Sequence, residues 1–154
     1  MNKSITRIAL VDDHALLRNG LASLIQTFEG YSVLFEADNG KDFIRQLQTH
    51  EVPDIILLDV TMPEMNGFET AAWINKNASS VKILVLSMMD NDEVVISMIK
   101  EGARGYILKD SKPAVFKQAL DNIRDTGFYM NELVSNKMLS YVKHHESSGT
   151  ALPL

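Results

Sequence analysis

Hydrophobic positions along this chain fall into two alternating rhythms. Short unbroken apolar runs stand at Ile8-Ala9-Leu10-Val11, Val33-Leu34-Phe35, Ile55-Ile56-Leu57-Leu58, Ile83-Leu84-Val85-Leu86 and Tyr106-Ile107-Leu108. Runs of that length, bounded by turn residues, read as strands inside a sheet. Between them the apolar residues recur at helical spacing, as in Leu17, Leu21, Leu24, Ile25 and Phe28, or Phe116, Ala119, Leu120 and Ile123. The pattern predicts strands over 5–11, 31–37, 54–59, 81–86 and 106–108, and helices over 15–28, 40–49, 67–78, 92–101 and 113–125. Gly30, Pro53, Pro63, Gly67, Gly102 and Pro113 punctuate the boundaries.

Strand-then-helix alternation repeated in this way implies an α/β fold with a parallel sheet covered by helices on both faces. A flavodoxin-like doubly wound (βα)5 fold in the order 2-1-3-4-5 suits the chain. It puts the polar second strand at one edge and the short fifth at the other. The 92–101 helix contains the β-branched Val94, Val95 and Ile96, so it is expected to be the loosest of the set. After Gly127 the pattern changes. Leu133, Val134, Met138, Tyr141 and Val142 predict an extra helix over 132–143, with Asn131 as its cap. That helix either packs on its own domain or serves as a signalling linker or dimer contact. The organisation expected is a domain over 1–127, a C-terminal or linker helix over 128–145 and a flexible linker over 146–154.

Composition narrows the function. A length of 154 residues suits one domain with one sizeable core. The net charge of −5 argues against a duplex-binding surface within these residues, since phosphate affinity comes from clustered Lys and Arg. The absence of cysteine excludes disulfides, thiolate metal sites and thiol catalysis. No apolar run approaches a membrane span, and a soluble, cytoplasmic protein is expected.

The candidate chemistry sits where strands end. Asp12 and Asp13 follow the first strand, Asp59 ends the third, Ser87 the fourth and Lys109 the fifth. Singly, each has a plain structural explanation: a carboxylate or hydroxyl caps a helix or turn, and a lysine snorkels to water. Together they are harder to explain so, because ligands of open α/β sheets bind outside the carboxyl ends of the strands. Two carboxylates about 4 Å apart repel by roughly 4 kcal/mol at an effective dielectric near 20, and one lysine does not offset three of them. A hard cation such as Mg²⁺ does. Ser87 and Lys109 then suit a phosphoryl group, and an ionised Asp59 is a competent nucleophile toward phosphorus.

Asp12-Asp13, Asp59 within Asp-Val-Thr-Met-Pro-Glu-Met-Asn-Gly, Ser87 and Gly105-Tyr106-Ile107-Leu108-Lys109 resemble the receiver domain of bacterial two-component response regulators. Asp-Asp-His, Leu-Leu-Arg-Asn-Gly-Leu and Leu-Lys-Asp look most like its NarL/FixJ (LuxR-type) branch. The resemblance implies that Asp59 accepts phosphate from a sensor histidine kinase. It implies that Asp12, Asp13, Asp59 and the backbone carbonyl of Thr61 hold Mg²⁺, and that Ser87 and Lys109 bind the phosphoryl group. Ser87 and Tyr106 match the switch pair. Members of this branch usually carry a helix-turn-helix domain, so DNA contact and transcription control are expected of a longer parent protein, with homodimerisation on phosphorylation as one output. His14 matches the branch and is assigned to the helix start rather than to catalysis.

Two features depart from the family. Asp110 stands where a proline often follows the lysine, so a cis-proline is not assumed. Met88 and Met89 stand where smaller or polar residues are usual; either both merely fill space, or Met89, with Thr61 across the site, shields the acyl phosphate from water. Two other function classes are weighed. A Mg²⁺-dependent phosphohydrolase using an aspartyl-phosphate resembles Asp-x-Asp at the nucleophile, whereas Thr61 stands two residues after Asp59. A phosphorylation-independent interaction module would tolerate loss of the acidic pair or the lysine, and all are present.

Overall fold

The computed structural model describes residues 4–147. Five strands, β1 (Thr6–Val11), β2 (Tyr31–Ala37), β3 (Ile55–Asp59), β4 (Lys82–Ser87) and β5 (Ala103–Leu108), form one parallel sheet in the order β2-β1-β3-β4-β5. They alternate with α1 (Ala15–Gln26), α2 (Gly40–Leu47), α3 (Gly67–Asn77), α4 (Asp92–Lys100) and α5 (Pro113–Thr126), and α6 (Glu132–Ser147) follows. The expected fold class and strand order are both present.

The apolar runs of β1, β3 and β4 are buried because the sheet has a helical layer on both sides, whereas Val33, Leu34 and Leu108 in the two edge strands are half-buried. Leu21 and Ile25 of α1 and Phe116, Leu120 and Ile123 of α5 close over Ile8, Leu10, Leu57 and Leu86. On the other face Phe43, Ile74, Val95 and Met98, from α2, α3 and α4, cover Ala9, Ile56, Leu58 and Val85. The polar second strand lies at an edge, as its composition predicts.

Differences from expectation concentrate at the other edge. β5 begins at Ala103, three residues earlier than its apolar run suggests, because Ala-Arg-Gly has poor strand propensity and is recruited by pairing with β4. Tyr129 N–H donates to the Arg104 carbonyl (2.9 Å), so the segment after α5 lines the open edge of β5. Gly105 permits this approach, since a Cβ there would lie 3.1 Å from that of Tyr129.

Asn131 caps α6 by accepting from Val134 N–H (3.0 Å), and its amide donates to the Tyr106 carbonyl (3.2 Å). α6 then lies across α4. Asp92, the first residue of α4, is paired with Lys137 (3.0 Å) and accepts from the Ser140 hydroxyl (3.1 Å). At the far end Lys100 donates to the Tyr141 hydroxyl (2.7 Å). The weak intrinsic propensity of α4 is thus supplemented by a second helix docked along it. Helix α6 includes Glu146 and Ser147, which the sequence pattern assigns to a linker; polar residues extend a helix already anchored at Val134 and Lys137. Residues 148–154, the remainder of that linker, lie outside the described residues.

The turn after β3 depends on one close approach. Gly67 N–H donates to the Val60 carbonyl (2.8 Å), folding the loop back onto the strand end, and Asn66 and Glu69 form a capping box that starts α3 there. A Cβ on Gly67 would collide with the Asp59 carbonyl oxygen and lie 2.7 Å from Val60 Cα, both immovable backbone. Gly67→Ala is expected to destabilise the fold by about 1–3 kcal/mol in urea unfolding, through overpacking rather than loss of a contact.

Candidate functional site

Sheet register brings the strand-end residues together. Val11 pairs with Leu58, so Asp12 and Asp59 leave the sheet side by side, and Ser87 pairs with Leu108, so Lys109 follows beside it. Asp12, Asp59 and Ser87 are buried, and Asp13 is exposed. Each of Asp12, Asp13 and Asp59 offers an oxygen within 4.8 Å of those of the other two. Lys109 Nζ reaches in from β5 to lie 2.8 Å from Asp12 Oδ2 and 3.1 Å from Asp59 Oδ2. Its side chain is 8% exposed, so the ion pairs are largely desolvated.

The charges do not balance. Burial first, and the Asp12 carboxylate second, push the Asp59 carboxyl up to about 6, against the pull of Lys109 and the Thr61 N–H. Burial would lower the Lys109 ammonium, but the two carboxylates outweigh it and hold it above the ordinary lysine value. Asp12 orients one oxygen locally: Oδ1 accepts from His14 N–H (2.8 Å). His14 therefore serves the helix start through its backbone, and its ring makes no cap bond. Asp12 Oδ2 has Lys109 as an ionic neighbour but no well-aligned donor, and is the buried side-chain oxygen left so among the described residues. A buried anionic oxygen short of a donor, beside two more carboxylates, fits a hard divalent cation. The donor set is all oxygen, as Mg²⁺ prefers.

Ser87 and Tyr106 are linked through the loop between them. Ser87 Oγ accepts from Met89 N–H (3.0 Å), and the Tyr106 hydroxyl donates to the Met89 carbonyl (2.6 Å). Tyr106 is fully buried, whereas an edge aromatic would ordinarily be half-exposed. Met89 is 43% exposed and Met88 73%, and Thr61, in the loop after β3, is exposed as well. No peptide bond among the described residues is cis, including the one between Lys109 and Asp110.

Residues 8–121 match the response regulator receiver domain family. The chain belongs to that family. It is 40% identical over 119 residues to the nitrate/nitrite response regulator protein NarL of Escherichia coli K12, covering 77% of this chain and 55% of that protein. It is 35% identical over 147 residues to the transcriptional regulatory protein LiaR of Bacillus subtilis, covering 96% of this chain and 68% of that one. A two-component response regulator of the LuxR family from Aurantimonas sp. SI85-9A1 superposes with a TM-score of 0.81 at 31% identity, over 90% of this chain and 99% of that one. These similarities place this receiver domain in the NarL/LuxR branch. The chain spans about half the length of several curated relatives it matches.

Sequence reasoning missed Arg18. Its guanidinium is nearly buried at the rim and holds the Asp12 backbone, and the available signals were its place in the Leu-Leu-Arg-Asn-Gly-Leu phrase and a charge between the apolar positions of α1. It also missed the docking of α6 on Asp92.

The raised carboxyl of Asp59 has a thermodynamic consequence. A group whose pKa rises on folding, here from 3.8 to about 6, favours the folded state below the lower value and loses that contribution as pH climbs through the higher one. In a chelator, Asp59→Asn is therefore expected to raise thermal stability at pH 7.5 by on the order of 2 kcal/mol, and to have little effect near pH 4. Melting curves across that range, repeated with Mg²⁺, check it: the cation should stabilise the wild type more than the variant.

Proposed function

We propose that this receiver domain accepts a phosphoryl group on Asp59 from a sensor histidine kinase, in a soluble cytoplasmic protein. The observation that carries this is the meeting of Asp59 with Asp12, Asp13, Lys109 and Ser87 at one cleft. The Asp59 carboxylate attacks phosphorus, the P–N bond of the phosphohistidine breaks, and the imidazole leaves with a proton from solvent. Lys109 stands where it neutralises charge on the transferred group, and Ser87 offers a hydroxyl to it. Mg²⁺, held by Asp12, Asp13, Asp59 and the Thr61 carbonyl, supplies the remaining positive charge when bound.

Response would begin at Ser87. A hydroxyl recruited to the phosphoryl group gives up the Met89 N–H, and the loop that holds the Tyr106 hydroxyl moves with it. Output would pass through a helix-turn-helix DNA-binding domain in a longer parent protein, a reading that rests on the branch resemblance, and control of transcription is supported by relatives such as the transcriptional regulatory protein LiaR. Residues 1–127 act as the receiver and 128–145 as the connection toward that output. Homodimerisation on phosphorylation is one way to deliver it.

A phosphohydrolase needs an acid to protonate its leaving group, and the exposed Thr61 supplies none. Incubation with Mg²⁺ and a small phosphodonor is expected to give a stoichiometric adduct, absent in Asp59→Asn and read by intact-protein mass. Rapid turnover of the donor would favour the hydrolase, and no adduct an interaction module. Met89 adjoins Ser87, to whose hydroxyl its N–H donates, and with Thr61 it would shield the acyl phosphate, so Met89→Ala is expected to shorten the adduct's lifetime several-fold; an unchanged decay removes Met89 and Thr61 as water shields.

A further inference from the structure

The motif Leu16-Leu17-Arg18-Asn19-Gly20-Leu21 places one charged residue in the first turns of α1, where a solvated side chain would be ordinary. Arg18 is instead 12% exposed and folds back over the rim of the sheet. Its Nη1 donates to the Asp12 carbonyl (2.5 Å), to the Ala37 carbonyl (3.2 Å) and to Asp38 Oδ1 (2.8 Å), and Nε donates to Glu36 Oε1 (3.1 Å). The Ala37 carbonyl also accepts from Asp12 N–H (3.0 Å). The Asp12 peptide is thus tied to β2 on its amide side by the ladder and on its carbonyl side by the guanidinium.

The position matters because Asp12 is where β1 stops. A carbonyl one residue past the last strand pair ordinarily turns to water, and the side chain turns with it. Here both ends of the residue are fixed, and His14 N–H fixes Oδ1, leaving Oδ2 as the oxygen directed into the acidic cluster beside Lys109. Arg18 carries one positive charge against the carboxylates of Glu36 and Asp38, so it adds little net field at the acidic cluster. Its contribution there is geometric.

We propose that Arg18 is a positioning residue for the divalent cation: by clamping the Asp12 backbone to the end of β2 it holds Asp12 Oδ2 in the direction from which the metal is bound. This rests on the reading of Asp12, Asp13 and Asp59 as a Mg²⁺ site. Partners that orient a ligand typically govern metal affinity about ten- to a hundredfold. A planar guanidinium spans two carbonyls and two carboxylates at once, whereas a lysine ammonium reaches fewer of them.

The test is calorimetric titration of the unphosphorylated domain with Mg²⁺, alongside its thermal melt in chelator, for wild type, Arg18→Lys and Arg18→Met. The expected result is a Mg²⁺ Kd about tenfold or more weaker in Arg18→Met, in protein that is still folded at the titration temperature, with Arg18→Lys between the two. A purely structural Arg18 would lower the melting temperature and leave Kd within about twofold of wild type, which overturns the proposal. Should Arg18→Met fail to fold, Arg18→Lys decides: a lowered melting temperature with wild-type Kd overturns the proposal, and a weakened Kd sustains it. Wild-type protein that binds no Mg²⁺ sinks the site itself. Wild type that binds while folded Arg18→Met binds equally well sinks only the role of Arg18.

Discussion

Everything at the cleft follows from carboxylates that one ammonium cannot neutralise. Asp12 and Asp59 are buried side by side because β1 and β3 pair in register, and Lys109 is shared between them at 2.8 and 3.1 Å. In a sheet buried on both faces, hydrophobic packing fixes that register, so the repulsion cannot be relieved by sliding a strand. The result is a carboxyl at Asp59 raised to about 6 and an oxygen on Asp12 whose neighbouring ammonium, Lys109, is shared with Asp59. A site held above its electrostatic minimum by its scaffold has much to gain from a bound cation, whose charge offsets the carboxylates that Lys109 alone does not.

The same scaffold sets where a response can travel. Ser87 stands at the end of β4, and its hydroxyl and the Tyr106 hydroxyl grip opposite ends of one residue, Met89. Three residues on, Asp92 opens α4 and is held by Lys137 and Ser140 of α6, while the Tyr106 carbonyl is held by Asn131 at the start of α6. Two routes of hydrogen bonds therefore leave the loop after β4 and end on one helix. A change in that loop has to be accommodated by α6 or resisted by it.

Much of this was legible in the chain because burial forces unambiguous patterns. Ile55 to Leu58 is apolar at every position since both faces are covered, and the strand order follows from which strands are polar or short. The strand-end residues were legible because five polar groups at one rim need a common reason. What escaped were features decided by tertiary contact. Ala103 to Gly105 joins β5 through pairing that its propensity opposes, and α6 settles on α4 through Asp92, Lys137 and Ser140, ordinary surface residues in a sequence. The left-handed backbone in the loop after β3 falls on Glu64 (φ 63°), not on the glycine the turn chemistry suggests.

Arg18 shows why such residues hide. A buried charge is costly unless its donors are met, and four acceptors from two segments, the ends of β1 and β2, meet this one. None of the four is near it in sequence, so no local pattern marks the site. Glu36 and Asp38 flank the end of β2 in the edge strand whose polar character already distinguished it. The polarity that places β2 at the edge is thus also what lets an arginine from α1 be buried against it. Through Arg18 the edge strand holds the backbone of Asp12, a residue of the acidic cluster.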